Sequence, residues 1–244
     1  LPEFADDLPD IFMRAAAAGV EKFYLPAIDS SFINNMLTME EKYSGRCFAM
    51  AGLHPCSVNE TYLTELKQVE SLLQKRSFAA IGEIGLDFYW STDFTTQQYE
   101  VFDLQMQWAL QKKLPVVIHT RNAMQQTIDF VKPFAAKGLS GIFHCFGGSY
   151  ENAIQIIEMN FYLGIGGVLT YKKAGLDEVI KKIELNNIVL ETDAPYLTPV
   201  PFRGKRNESS YIKIIAEKLA VIKNVSLEEV AAVTTANAEK IFSK

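Results

Sequence analysis

Along the chain the apolar positions change period again and again. Short runs rich in β-branched and aromatic side chains, such as those at residues 114–118 and 188–190, alternate with longer stretches in which apolar positions recur every three or four residues. Seven runs read as strands: residues 22–27, 47–53, 78–84, 114–119, 141–144, 161–165 and 187–191. Between them lie helical patterns. The clearest covers residues 97–113, with Tyr99, Phe102, Met106 and Ala109 on one face and with Thr95 and Gln98 spaced as a capping box. Ser226 and Glu229 have the same spacing and open a helix near the C-terminus.

Regular alternation of strand and helix predicts a parallel α/β fold with right-handed crossovers, either an open doubly wound sheet or a closed eight-stranded barrel. The chain opens in an Ala-rich helix at residues 4–19, closed by Gly19, and seven strand-helix units follow. That count predicts a (β/α)8 TIM barrel whose first strand is missing from the sequence. No stretch reads as a linker, so residues 1–244 are expected to form a single domain.

Composition narrows the classes. With 48% hydrophobic and 22% charged residues the chain can build an ordinary globular core, and no apolar run approaches the 18 or so residues of a membrane span. A net charge of −5 excludes coating of nucleic acid by bulk electrostatics, so any such contact must be local. Cys47, Cys56 and Cys145 are odd in number and form no C-x-x-C pair, which points to a reducing cytoplasm rather than a disulfide framework or a structural zinc site.

The chemistry gathers at strand ends. His54, His119 and His144, the three histidines of the chain, each end a predicted strand, and Glu83 and Asp193 do likewise. In a barrel such tips converge on one mouth. Glu83, His119, His144 and Asp193 are spaced by 36, 25 and 49 residues, near one, one and two βα units of about 30 residues. Imidazole and carboxylate donors of this kind suit Mg, Mn, Fe or Zn, and a shared carboxylate such as Glu83 can bridge two metals. There is no G-x-S-x-G elbow, P-loop or H-E-x-x-H. The run from Gly164 to Leu169 fails the dinucleotide pattern at its last position, so no nucleotide cofactor is expected. Cys145 is expected to face away from His144, because neighbours on a strand alternate.

After the last strand, a Pro-rich loop delivers Arg203, Lys205 and Arg206 around Gly204. This local reversal of charge suits a phosphodiester, and Arg121, two residues beyond His119, is a further phosphate contact by the same logic. Phe88, Tyr89, Trp90 and Phe94 follow the Glu83 strand, where aromatic rings either pack locally or stack on bases.

Six segments, Gly52-Leu-His-Pro55, Ala80-Ile-Gly-Glu-Ile-Gly-Leu-Asp-Phe-Tyr-Trp90, Leu114-Pro-Val-Val-Ile-His-Thr-Arg121, Phe143-His-Cys-Phe-Gly-Gly148, Glu191-Thr-Asp-Ala-Pro-Tyr196 and Pro201-Phe-Arg-Gly-Lys-Arg-Asn207, resemble in order the motifs of the TatD family. The resemblance implies a TIM-barrel, metal-dependent hydrolase of the amidohydrolase-like superfamily, typically a DNase. It implies that Glu83 bridges metals, that His119 and His144 bind one of them, and that Asp193 binds the other and orients or deprotonates the attacking water. The family's first-strand His-x-His motif has no counterpart here.

The expectation is therefore a cytoplasmic, monomeric enzyme with two divalent ions (Mg, Mn or Zn) that removes nucleotides from single-stranded DNA or 3′ ends by a metal-activated water. Glu83 and Asp193 are its catalytic residues, Glu83, His119, His144 and Asp193 its metal ligands, and His54, Arg121, Arg203, Lys205 and Arg206 its substrate contacts. Two alternatives are ester hydrolysis, such as D-aminoacyl-tRNA deacylation, and an inactive barrel that binds nucleic acid.

Overall fold

The computed structural model describes residues 1–243. Along the chain it runs α1 (Leu8–Ala17), β1 (Phe23–Leu25), α2 (Ser30–Lys42), β2 (Cys47–Ala49), α3 (Tyr62–Lys75), β3 (Ile81–Asp87), α4 (Thr95–Lys112), β4 (Val116–Arg121), α5 (Met124–Ala135), β5 (Gly141–Phe143), α6 (Tyr150–Glu158), β6 (Phe161–Ile165), α7 (Leu176–Lys181), β7 (Ile188–Leu190), α8 (Ile212–Lys223) and α9 (Leu227–Phe242). All seven expected strands form among the described residues, in the expected order. None of these helices is long and apolar enough to cross a membrane.

The chain packs as two compact units. In the first, Lys22–Phe143, β1 pairs in parallel with β2, and β3, β4 and β5 pair in parallel in that order. In the second, built from Leu1–Glu21 and His144–Ser243, β6 pairs in parallel with β7.

The centre of the first unit is β3, whose seven residues are all buried. Its register against β4 slips between Ile81 and Ile84, where three steps on β3 meet two on β4, the signature of a bulge. Gly85 makes the close approach feasible. A Cβ there would lie 2.0 Å from the His119 carbonyl oxygen, and its φ of +142° is one that side chains rarely adopt. The strand therefore continues to Asp87 instead of stopping at residue 84, and Glu83 lies inside it rather than at its tip. Alternation along the sequence gave no sign of the bulge, which arises only when two strands pair.

Helix α4 departs from expectation in a useful way. Phe94, not Thr95, is its N-cap, and Gln98 closes no capping box. The Gln98 amide instead accepts from the Asp87 N–H at 2.9 Å and donates to the Asp87 carbonyl at 3.0 Å. Two turns on, Gln105 does the same to Leu53, at 2.7 and 3.2 Å. Buried amides of this kind hold backbone as another strand would, at the ends of segments that carry Asp87 and His54. The Ser226 cap forms as expected, accepting from the Glu229 N–H at 3.1 Å.

In the second unit, Arg14 of α1 donates to the Glu208 carboxylate at 2.6 to 3.0 Å, and Arg206 donates to Asp7 at 2.7 Å. The Arg14 bonds hold the Glu208 carboxyl below the usual carboxylate range. Because its folded pKa is depressed, the stability it contributes is present above about pH 4 and lost as pH falls further. Glu208→Gln should thus flatten the decline of the urea midpoint between about pH 6 and pH 3. Gly85→Ala should cost about 3 kcal/mol or more by urea unfolding, since a backbone oxygen cannot move aside as a side-chain tip can.

Candidate functional site

In the first unit the β3–β4 pairing brings His119 between two carboxylates. Its Nδ1 lies 3.1 Å from Glu83 Oε1 and its Nε2 lies 2.8 Å from Asp87 Oδ2. Asp87 is 1% exposed, and its other oxygen accepts from the Tyr89 N–H at 2.9 Å and the Trp90 N–H at 3.3 Å. Burial is the largest single influence on this carboxyl and works to raise its pKa. The hydrogen bonds from His119 and the Tyr89 amide, with the charge of His119, outweigh it and hold the group well below the usual carboxylate range.

His54 joins the same group. Its ring centre lies 4.5 Å from that of His119, and its Nε2 is 3.9 Å from Glu83 Oε1. The Nδ1 atom accepts from the Cys56 N–H at 3.1 Å, so a neutral His54 carries its proton on Nε2 and presents a donor toward the site. Donor atoms of His54, Cys56 and His119 lie within 4.8 Å of one another. Desolvation, then the charges of Asp87 and Glu83, push the Cys56 thiol up to about 12, which keeps it a protonated thiol at neutral pH.

The second unit repeats the design. His144 Nδ1 lies 2.9 Å from Glu191 Oε2, and its Nε2 is 3.6 Å from Asp193 Oδ1. The other Glu191 oxygen accepts from the Cys145 N–H at 2.6 Å. Gly164 leaves room for this carboxylate, since a Cβ there would sit 2.4 Å from Glu191 Oε2. The glycine run that failed the dinucleotide pattern thus serves packing around Glu191.

Cys145 does not turn away as expected. Strand β5 ends at Phe143, so alternation no longer governs it, and with φ +47° its thiol joins the donors of His144 and Glu191 within 4.8 Å.

Each imidazole therefore has a carboxylate on both sides. A neutral ring can donate to only one of them, so the second contact calls for a proton or a cation. That donor chemistry fits divalent metal, with Asp87 and Glu191 orienting the two imidazoles as outer-shell carboxylates do. Asp87 and Glu191 were not singled out in the sequence. For Asp87 the signal was its even offset from Glu83, which favours the same side of a strand, and for Glu191 its place at the end of the predicted strand 187–191.

The cations differ in their engagement. Arg121 lies over the Tyr89 ring at 3.6 Å, Arg203 over Tyr171 at 4.0 Å, and the Lys205 ammonium is 5.8 Å from the Phe202 ring centre. Arg206 is committed to Asp7 and to the Glu3 carbonyl. The loop that carries Arg203, Lys205 and Arg206 is pinned by fully buried Asn207, whose amide donates to the Thr192 and Tyr196 carbonyls at 2.6 Å.

Asp87→Asn and Glu191→Gln should each lower the affinity for Mn by about 10- to 100-fold in titration calorimetry, with the circular dichroism of the folded protein retained.

Comparison with known proteins gives these groups a context. The family model for TatD related DNase matches residues 1–243. The uncharacterized metal-dependent hydrolase YabD of Bacillus subtilis is 39% identical over 241 residues, covering 98% of this chain and 94% of its own. The 3′-5′ ssDNA/RNA exonuclease TatD of Salmonella typhimurium is 30% identical over 247 residues, covering 98% and 94%. Among solved structures, YJJV, a TatD homologue from Escherichia coli K12, superposes with a TM-score of 0.92 at 28% identity over 100% of this chain and 95% of its own. That match bears out the expected barrel class. Matched along the whole described chain by the family model and by these relatives, the protein belongs to the TatD related DNase family and is a metal-dependent hydrolase.

Proposed function

We propose that the protein is a divalent-metal-dependent deoxyribonuclease that removes nucleotides from the 3′ ends of single-stranded DNA. The observation that carries this reading is the placement of His119 and His144, each between two carboxylates, on a chain whose relatives include a 3′-5′ ssDNA/RNA exonuclease.

Glu83, His119, His144 and Asp193 would hold the divalent metal. Divalent metal held by these residues would lower the pKa of water and neutralise charge on a phosphodiester. The remaining work belongs to the chain. Asp193 is the general base that takes a proton from the attacking water, and the His54 Nε2–H donates to a phosphoryl oxygen. Arg121, Arg203 and Lys205 bind phosphates of the substrate. Arg206, bound by Asp7, holds the loop in place rather than the substrate. Cys47, Cys56 and Cys145 form no disulfide among the described residues, which suits the cytoplasm as the enzyme's place of action, and the reading takes it as a monomer.

Incubated with 5′-labelled single-stranded DNA and Mn or Mg, the protein should produce a ladder shortening from the 3′ end that chelator abolishes. Glu83→Gln and Asp193→Asn should each lower the rate by about 100-fold or more while keeping the thermal midpoint. Gln is chosen because Glu83 lies inside a strand, where a shortened side chain would leave a gap. Folded, metal-loaded protein that leaves DNA intact but releases the amino acid from charged tRNA would overturn this reading in favour of ester hydrolysis.

A further inference from the structure

At the end of β3 in the first unit, Arg121 sits with two aromatic rings that the hydrolytic chemistry leaves unused. Trp90 is 70% exposed and Tyr89 51%, and their rings meet edge to face with centroids 5.0 Å apart. Over Tyr89 lies the Arg121 guanidinium, 5.3 Å from the Trp90 ring centre, and it has no carboxylate partner among the described residues. Single exposed apolar residues are ordinary, but a contiguous Trp, Tyr and unpaired Arg in water is surface kept for a ligand. The other tryptophan, Trp108, is 7% exposed.

This patch is rigidly linked to the site. The Asp87 carboxylate that holds His119 also accepts from the Tyr89 and Trp90 amides. Asp87 pairs with Arg121 in the β3–β4 register, and the Phe88 N–H donates to the Arg121 carbonyl at 2.9 Å. Movement of the aromatic turn would break bonds that orient the histidine. The chemistry selects the occupant. A flat exposed ring offers stacking to any unpaired base, and a guanidinium seated on an aromatic face still presents its N–H donors to a phosphate. A paired duplex end offers no free base face at its penultimate positions, whereas a single strand offers one at every nucleotide.

We propose that Trp90 stacks an unpaired nucleobase and that Arg121, seated on Tyr89, holds the adjoining phosphate, so that this platform selects single strands for the neighbouring site. The proposal rests on the nucleic-acid reading above and deepens it.

The test is binding without turnover, in excess chelator, comparing an oligothymidylate with an abasic sugar-phosphate chain of the same length and charge. The unaltered protein should bind the oligothymidylate about tenfold more tightly, equivalent to about 1.4 kcal/mol and within the range of base-aromatic stacking. Trp90→Ala should erase that preference, Trp90→Phe should retain most of it, and Arg121→Gln should weaken both ligands alike. Oligothymidylate, but not the abasic chain, should quench tryptophan emission, and Trp90→Phe should remove the quench. Equal binding of the two ligands by the unaltered protein, or a preference that survives Trp90→Ala, would overturn the platform. The two ideas fail separately. Laddering of DNA without base preference keeps the nuclease and loses the platform, and base preference without hydrolysis does the reverse.

Discussion

A carboxylate withdrawn from water must have its charge answered locally, or its burial is too costly to sustain. Asp87 meets that constraint with His119 on one oxygen and the Tyr89 and Trp90 amides on the other, while Gln98 holds its backbone from both sides. Much of the first unit follows. The imidazole is fixed in orientation, the aromatic turn is fixed relative to it, and α4 is anchored to the end of β3. The bulge and Gly85 let β4 approach closely enough for these bonds to form.

The second unit reaches a comparable arrangement by other means. Glu191 takes the place of Asp87, bonded to His144 and to the Cys145 amide, and Gly164 rather than a bulge provides the space. Similar electrostatics on different local frameworks suggest that the requirement is the environment of the imidazole, not a particular backbone path. A ring flanked by two carboxylates is primed for a cation, and the donor nitrogens are oriented before the cation arrives, which lowers the ordering cost of binding.

The surface cations show how far charge counting reaches. Arg121, Arg203, Lys205 and Arg206 were equivalent as positive residues near strand ends. Folding separates them: Arg206 is consumed by Asp7, while Arg121 and Arg203 lie on aromatic faces that leave their donors available. Exposed pairs of this kind contribute little to stability individually, so the difference matters for ligand contact more than for folding.

Strand-helix alternation and all seven strands were legible in the sequence, because side-chain periodicity is a local property that each segment carries by itself. The strand ends were not: Glu83 and His119 lie inside β3 and β4 rather than at their tips, and His54 stands five residues beyond the end of β2. Three further things were not. The bulge that puts Glu83 inside β3 exists only when β3 meets β4. Gln98 reads locally as a helix cap, yet it serves a strand end whose proximity depends on how α4 docks. Asp87 and Glu191 become partners of the histidines, and Cys145 joins them, through distances between segments 32 to 47 residues apart or through a left-handed turn. Chemistry carried by one residue type at a strand end can be read from the chain, whereas the partner that orients it is decided by tertiary contact, since hydrogen bonds and charge act over ångströms of space and not along sequence.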